Sequence, residues 1–152
     1  MTDIATALSA LDTLPELLAF RVVQSPQAEA YRAFDAVAGR WVSTSWAEFG
    51  ERVAQWRRAL AVMQLPRQAR VAILLPNGLD AVSLDQAVLS LGLVPVPLHA
   101  IDNPGSIAYI LSDCEASMLM VSSLSQWRAV ADRKSTRLNS SHIQKSRMPS
   151  SA

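Results

Sequence analysis

The hydrophobic pattern of this chain changes period near residue 70. Before that point, apolar residues recur at helical spacing or alternate with polar ones; after it, short fully apolar runs alternate with helical stretches. Thr13-Leu14-Pro15-Glu16 carries helix-start chemistry: a hydroxyl cap, an early proline, and a glutamate three residues after the threonine. The helix is expected to run to about Gln24, where Ser25-Pro26 stops it, and residues 1–12 read as a frayed lead-in. Glu29–Asp35 and Arg40–Thr44 read as two strands joined by the glycine-containing turn Val37–Arg40, a hairpin. Ser45-Trp46-Ala47-Glu48 is a second capping box and opens the clearest helix. Phe49, Val53, Trp56, Leu60 and Met63 recur at steps of four and three and define its buried face, with Trp56 as a core anchor. Glu51, Arg52, Gln55, Arg57 and Arg58 fall largely on the other side, a solvated face.

From Arg70 the chain reads strand, helix, strand, helix, strand. Val71–Leu75 is a continuous apolar run of the kind found in sheets covered on both faces. Asn77-Gly78 breaks it, and Leu79–Leu91 is a mostly buried helix ended by Gly92. Leu93–Leu98 is a short strand, because Pro95 and Pro97 each remove a ladder donor. Asp102 or Asn103 caps the next helix with Pro104 at its first position, and Ile107, Ile110 and Leu111 point inward; it ends near Ser112–Glu115. Met118–Val121 is a third strand and Leu124–Ala131 begins another helix. Two consecutive crossover units predict an α/β fold: an incomplete doubly wound parallel sheet of Rossmann type, preceded by a helix–hairpin–helix segment.

Asp132–Ala152 departs from everything before it. Asp132–His142 fits one reading frame of a common short-read sequencing adapter, and Ser146–Ala152 fits the same oligonucleotide again. Ile143, Gln144 and Lys145 lie where such an adapter carries its variable index. This segment is therefore expected to be a non-native disordered tail, to be set aside like any fusion scar. The gene-derived protein would then continue past Ala131 in its own genome. Setting the tail aside changes the charge picture. It holds five of the 14 basic and one of the 13 acidic side chains, so residues 1–131 carry 9 and 12, a net −3. No positive surface suited to a nucleic-acid backbone is expected.

Half of the residues are hydrophobic, enough for one modest core, and no apolar run approaches the length of a membrane span. Asp3 stands where a secretory signal would carry positive charge, and Cys114 is the single cysteine, so a reducing, cytoplasmic setting is expected. Chemistry-bearing constellations are scarce. Neither G-x-G-x-x-G nor G-x-x-x-x-G-K-[ST] occurs, and there is no G-x-S-x-G elbow. The turn Leu75-Pro76-Asn77-Gly78 offers one glycine, enough for a bend but not for a phosphate cradle. Asp80 and Asp85 are five apart on a helix and do not face each other. Cys114 reads as a small core residue. His99 follows a strand end, where open α/β sheets bind ligands, yet an isolated histidine there is more often structural. One histidine and one cysteine do not make a metal site of usual ligand count. No catalytic, cofactor-binding or metal-ligating residue is assigned.

Longer motifs carry the reading further. They are T-[apolar]-P-E-L-L at Thr13–Leu18, S-W-A-E-F at Ser45–Phe49, V-A-I-L-x-x-N at Val71–Asn77, D-x-A-V-L-x-L-G-x-V-x-V-P-L at Asp85–Leu98, and I-x-Y-I-L-x-D-x-E-A at Ile107–Ala116. With their spacing, residues 13–123 resemble the N-terminus of an adenylate-forming (AMP-binding) enzyme. The opening motif and the V-P-V-P-L-H to I-x-Y-I-L spacing are most similar to long-chain fatty acyl-CoA synthetases. Leu65-Pro66-Arg67-Gln68-Ala69 departs from the Gly-rich, Gly-Asp-containing turn usual there, which bears on the subfamily.

The resemblance implies that residues 13–131 are a truncated N-terminal part of an AMP-binding adenylation domain. It implies ATP, Mg²⁺ and CoA for the full-length parent, with a carboxylic acid, such as a fatty acid, as substrate. It also implies that the Ser/Thr/Gly-rich phosphate loop, the nucleotide contacts and the catalytic lysine lie downstream. None of those motifs matches a residue here, so the fragment is expected to be inactive and to bind none of the three. The alternatives are another adenylating enzyme, of nonribosomal-peptide or aryl-acid type, and a small autonomous Rossmann-like binding module.

Overall fold

The computed structural model describes residues 4–99 and 101–132. They divide into two compact units, one of residues 4–64 with 77–92 and the other of residues 65–76 with 93–99 and 101–132. In chain order the elements of the first unit are α1 (Ile4–Ser9), α2 (Leu14–Gln24), β1 (Glu29–Asp35), β2 (Arg40–Ser45), α3 (Trp46–Ala61) and α4 (Leu79–Ser90). Those of the second are β3 (Arg70–Leu74), β4 (Val94–Pro97), α5 (Pro104–Asp113), β5 (Met118–Val121) and α6 (Leu124–Ala131).

Local chemistry accounts for the helix starts in the first unit. Thr13 Oγ1 accepts from the Glu16 N–H at 3.3 Å, while the Glu16 carboxylate accepts from the backbone N–H groups of Thr13 (3.0 Å) and Asp12 (2.9 Å). Ser45 and Glu48 repeat the reciprocal pair at 3.2 and 2.7 Å. Each box satisfies donors that a helix N-terminus otherwise leaves open. The lead-in differs from expectation: Ile4–Ser9 forms the short helix α1, none of whose residues is buried. β1 and β2 pair antiparallel from Glu29↔Ser45 to Asp35↔Arg40, with an irregularity between Glu29 and Tyr31. Asp35 builds the turn, its Oδ1 accepting from Val37 (2.9 Å) and Ala38 (3.0 Å), and Gly39 supplies the left-handed residue at φ +64°.

Phe49, Val53, Trp56 and Leu60 form the buried face of α3, which packs on α4, whose own buried residues are Ser83, Leu84, Ala87 and Val88. Met63 does not belong to that face: the helix ends at Ala61, and Met63 is half-buried in the turn beyond it. The charged side of α3 is solvated, as its sequence requires. Arg58 reaches Glu51 at 2.8 Å and Arg52 reaches Asp80 at 2.7 Å, both exposed pairs of the kind that contribute little.

The second unit is a three-stranded parallel sheet in the order β4-β3-β5. Central strand β3 is covered on both faces, with Val71, Ala72, Ile73 and Leu74 all nearly inaccessible. This explains why its sequence does not alternate. On β4, the N–H groups of Val94 and Leu98 donate to Ala69 O (3.0 Å) and Ile73 O (2.9 Å) of the β3 segment. Pro95 and Pro97 alternate with these donors, so their missing N–H groups fall on the outer side, where an edge strand tolerates proline. Ala72, Leu74, Leu98, Ile107, Ala108, Leu111 and Val130 make one core cluster of sheet, α5 and α6. Ile110, half-buried, packs against this cluster as expected, and Ala108 joins Ile107 and Leu111 within it. Asn103, not Asp102, caps α5, its Oδ1 accepting from Ser106 N at 2.9 Å.

The loop before β3 explains its departure from a glycine-rich turn. Gln64 (φ +49°) and Gln68 (φ +63°) occupy the left-handed region that glycine favours. A glycine-type backbone is kept with other side chains on it.

Candidate functional site

Among the described residues, each unit offers a place that can meet a ligand. In the second, all three strands run parallel, so their carboxyl ends share one side of the sheet: Leu75-Pro76 after β3, Leu98-His99 after β4, and Ser122-Ser123 after β5. The chain steps from β3 to β4 on one side and to β5 on the other, the strand reversal at which open α/β sheets place ligands. The polar groups there are largely committed. Ser122 donates through both N and Oγ to Gln126 Oε1, at 3.0 and 2.8 Å. Ser123 Oγ accepts from Gln126 N at 3.2 Å, capping α6, and lies 2.9 Å from Ser125 Oγ. His99 is exposed, and its imidazole makes no hydrogen bond or ion pair among the described residues. A nucleophile, a base and an orienting group are not assembled at this edge.

The other sequence-noted residues are dispersed. Asp80 is exposed and pairs with Arg52; Asp85 is partly buried on the same helix, and burial pushes its carboxyl up. Cys114 is half-buried at the end of α5, with Sγ 3.9 Å from Leu111 O. Among the described residues no three His, Cys, Asp or Glu side chains cluster as metal ligands.

The first unit holds a cavity of about 320 Å³, lined by Leu14, Leu17, Leu18, Arg21, Tyr31, Trp46, Phe49 and Gln86. Its aromatic wall is ordered by mutual contact: Tyr31 and Phe49 have ring centroids 4.6 Å apart, and Trp46 meets Phe49 edge-on at 6.4 Å. The Arg21 guanidinium lies over the Trp46 ring, 5.1 Å from its centroid. Burial pushes the Tyr31 phenol up, so it stays protonated at neutral pH. Trp46 Nε1 and Gln86 Oε1 are buried without a hydrogen-bond partner. Sequence reasoning missed this cavity because its residues come from four elements, Leu14 to Gln86. The local signals at Trp46 and Leu17 announce a helix start and a helix face.

The comparisons agree with the architecture. A family profile described as AMP-binding enzyme matches residues 20–150, which includes the segment after Ala131. No curated protein matches the chain. Among solved structures, the N-terminal domain of FACL13 from Mycobacterium tuberculosis, determined with an inhibitor bound, superposes with a TM-score of 0.70 at 21% identity. That alignment covers 85% of this chain and 31% of the other. A fatty acyl CoA synthetase from Mycobacterium tuberculosis gives 0.68 at 20% identity, covering 80% and 23%. The fatty acyl-adenylate ligase from L. pneumophila, solved with acyl adenylate and pyrophosphate, gives 0.69 at 13% identity, covering 76% and 20%. The chain thus spans less than a third of each of these structures, and at these identities the likeness is one of fold. With most of its length inside the matching profile, the chain belongs to the AMP-binding enzyme family.

Proposed function

We propose that residues 13–131 are the N-terminal part of an ATP-dependent acid–CoA ligase, one that activates a fatty acid. In the whole enzyme a substrate carboxylate oxygen attacks the α-phosphorus of ATP and pyrophosphate leaves. The CoA thiol then attacks the acyl carbon of the adenylate, and AMP leaves with its electron pair. Mg²⁺ would neutralise the phosphate charge in the first step. The single observation carrying this reading is the family match over residues 20–150. The fatty-acyl preference rests on the spacing of the V-P-V-P-L-H and I-x-Y-I-L motifs. A second reading, in which the enzyme stops at the acyl-adenylate or passes the acyl group to another acceptor, is favoured by the fold likeness to a fatty acyl-adenylate ligase.

In this reading the chain's own residues are a scaffold. The sheet of β4-β3-β5 presents its carboxyl ends to a site whose phosphate loop and lysine are supplied by sequence beyond residue 131, and Asp132–Ala152 is foreign to it. In this reading the parent works in the cytoplasm, free or peripherally associated with a membrane; among the described residues no helix is long and apolar enough to cross one. Pyrophosphate release with ATP and palmitate tests the proposal. The chain Met1–Ala152 is expected to give none, and a protein extended by the native downstream sequence is expected to give it, followed by CoA-dependent release of AMP. Turnover by Met1–Ala152 itself, or an extended protein that activates no acid, would refute it.

A further inference from the structure

We propose that the outer half of the β1–β2 hairpin is a docking element for the downstream part of the parent protein, which receives Phe34, Val37 and Trp41 in an apolar cleft. The proposal rests on the reading of residues 13–131 as the front of a longer enzyme. The root of the hairpin is anchored on its own unit: Tyr31 meets Phe49 with ring centroids 4.6 Å apart, and the Trp46 backbone N–H donates to Ala28 O at 3.1 Å. Beyond Tyr31 that support ends. In residues 32–43 every residue but Asp35 is exposed. Directly paired residues of an antiparallel ladder share a face, so Phe34 and Trp41 lie on one side and Ala33 and Val42 on the other. Val37, at the tip, is wholly exposed. A two-stranded hairpin covered on neither face is marginally stable in water, and packing against further structure is what secures one.

The chemistry of the hairpin narrows the occupant. At its base Glu29 Oε2 accepts from Arg32 Nε (3.0 Å) and Nη2 (2.9 Å) and from Ser43 Oγ, so the charged end is satisfied within the hairpin. Asp35 Oδ1 is taken by the N–H groups of Val37 and Ala38. What is left for a partner is apolar: Val37 and the edge-on pair of Phe34 and Trp41, 5.5 Å between centroids and 56% and 64% exposed. At the ~150–250 Å² that an aromatic side chain presents, the pair leaves about 200–300 Å² open. Two copies of this chain meeting there would bury about 400–600 Å², well short of the ~1,200 Å² of a specific interface. A bilayer surface fits no better. Glu29, Arg32, Asp35 and Arg40 cancel in charge, giving anionic headgroups nothing to attract, and the outer edges of a two-stranded ribbon carry backbone groups that hydrocarbon leaves unpaired. A protein cleft can close on both faces and the tip, pair the strand edges, and supply an acceptor for the Trp41 indole N–H. Its source follows from length: the alignment with the N-terminal domain of FACL13 covers 31% of that chain and leaves more than two thirds of it unmatched.

The test compares Met1–Ala152 with a longer protein, residues 1–131 continued by the native downstream sequence. Hydroxyl-radical footprinting read by mass spectrometry gives the exposure of Phe34 and Trp41 in each. In Met1–Ala152 both rings are expected to react as open side chains. In the longer protein the rate at Trp41 is expected to fall about fivefold or more, as a ring 64% exposed becomes buried. Amide hydrogens of residues 32–43 are expected to exchange about 100-fold more slowly there, and Trp41→Ala to undo most of that protection. The footprint of the unsubstituted pair of proteins decides the matter even if that variant fails to fold. A longer protein that releases pyrophosphate with ATP and palmitate yet leaves Trp41 as reactive as in Met1–Ala152 overturns this inference alone. A native reading frame that stops just past Ala131 overturns it together with the proposed function. Protection of Trp41 in Met1–Ala152 by its own rising concentration, or by phosphatidylcholine vesicles, overturns it in favour of a second copy or a lipid surface.

Discussion

Gly50→Ala sets two well-known effects against each other, and the structure decides between them. Gly50 lies inside α3, where alanine is the better helix former by about 1 kcal/mol. On propensity alone the substitution stabilises. A Cβ at this position, however, would stand 2.8 Å from Val22 Cγ2 and 3.4 Å from Val22 Cγ1 on α2. Valine in a helix has essentially one comfortable rotamer, so its methyl groups cannot swing aside. The helices must separate or the side chain must leave its rotamer, at a cost of about 1–3 kcal/mol. The net expectation is a loss of about 1 kcal/mol, reversed when the obstructing methyl groups are removed. Val22→Ala alone should cost about 1 kcal/mol, and the double variant should show favourable coupling of about 1–2 kcal/mol. Urea unfolding followed by tryptophan fluorescence gives all four stabilities, provided the denaturant slope is unchanged. A Gly50→Ala protein more stable than the parent, or strict additivity with Val22→Ala, would refute the close approach of α2 and α3.

Phe49→Ala, at a side chain 1% exposed, is expected to cost about 3–5 kcal/mol in the same assay, whereas Phe34→Ala, 56% exposed, should cost under about 1 kcal/mol; similar losses would contradict the assigned hairpin register. Gln68→Gly relieves a left-handed residue and is expected to raise stability by about 0.5–1 kcal/mol; a loss would mean that Gln68 makes an interaction of its own. Glu16 and Glu48 are held below the ordinary glutamate value chiefly by the backbone N–H groups of Asp12 and Ser45, and Asp35 below the aspartate value by those of Ala38 and Val37. Their stabilisation is full at neutral pH and is lost as pH falls below about 4.5 and through the depressed values, so thermal midpoints should fall over that window. Asp85 has the opposite sign, being pushed up by burial, so Asp85→Asn should stabilise the chain at pH 7 and leave it unchanged near pH 3; no difference at pH 7 would show that its carboxylate is well solvated.

Much of this architecture was legible in the sequence because its signals are local. The two capping boxes fix their helix starts through contacts three residues apart, and Val71–Leu74 announces a doubly covered strand by being apolar throughout. Spacing failed where tertiary packing or chain direction decides. Met63 continues the periodicity of α3, yet the helix has already ended, and Ala108 joins the core of α5 without an apolar signal strong enough to announce it. The left-handed backbone at Gln64 and Gln68 left no trace, since neither residue is a turn former. The aromatic cavity was equally hidden. Trp46 carries a helix-start signal, and what makes it part of a cavity wall is the placing of Arg21 over its ring and of Gln86 on the same wall. The expectation for Asp132–Ala152 falls almost wholly outside the described residues.

On the function proposed above, residues 13–131 are the front portion of an acid-activating enzyme whose chemistry is encoded further along. The most direct measurement is the sequence of the genomic DNA downstream of the Ala131 codon. The reading frame is expected to continue for several hundred codons and to encode a Ser/Thr/Gly-rich loop ending in Pro-Lys. A stop codon within a few positions of Ala131, or genomic DNA that itself encodes the Lys134–His142 segment, would contradict it.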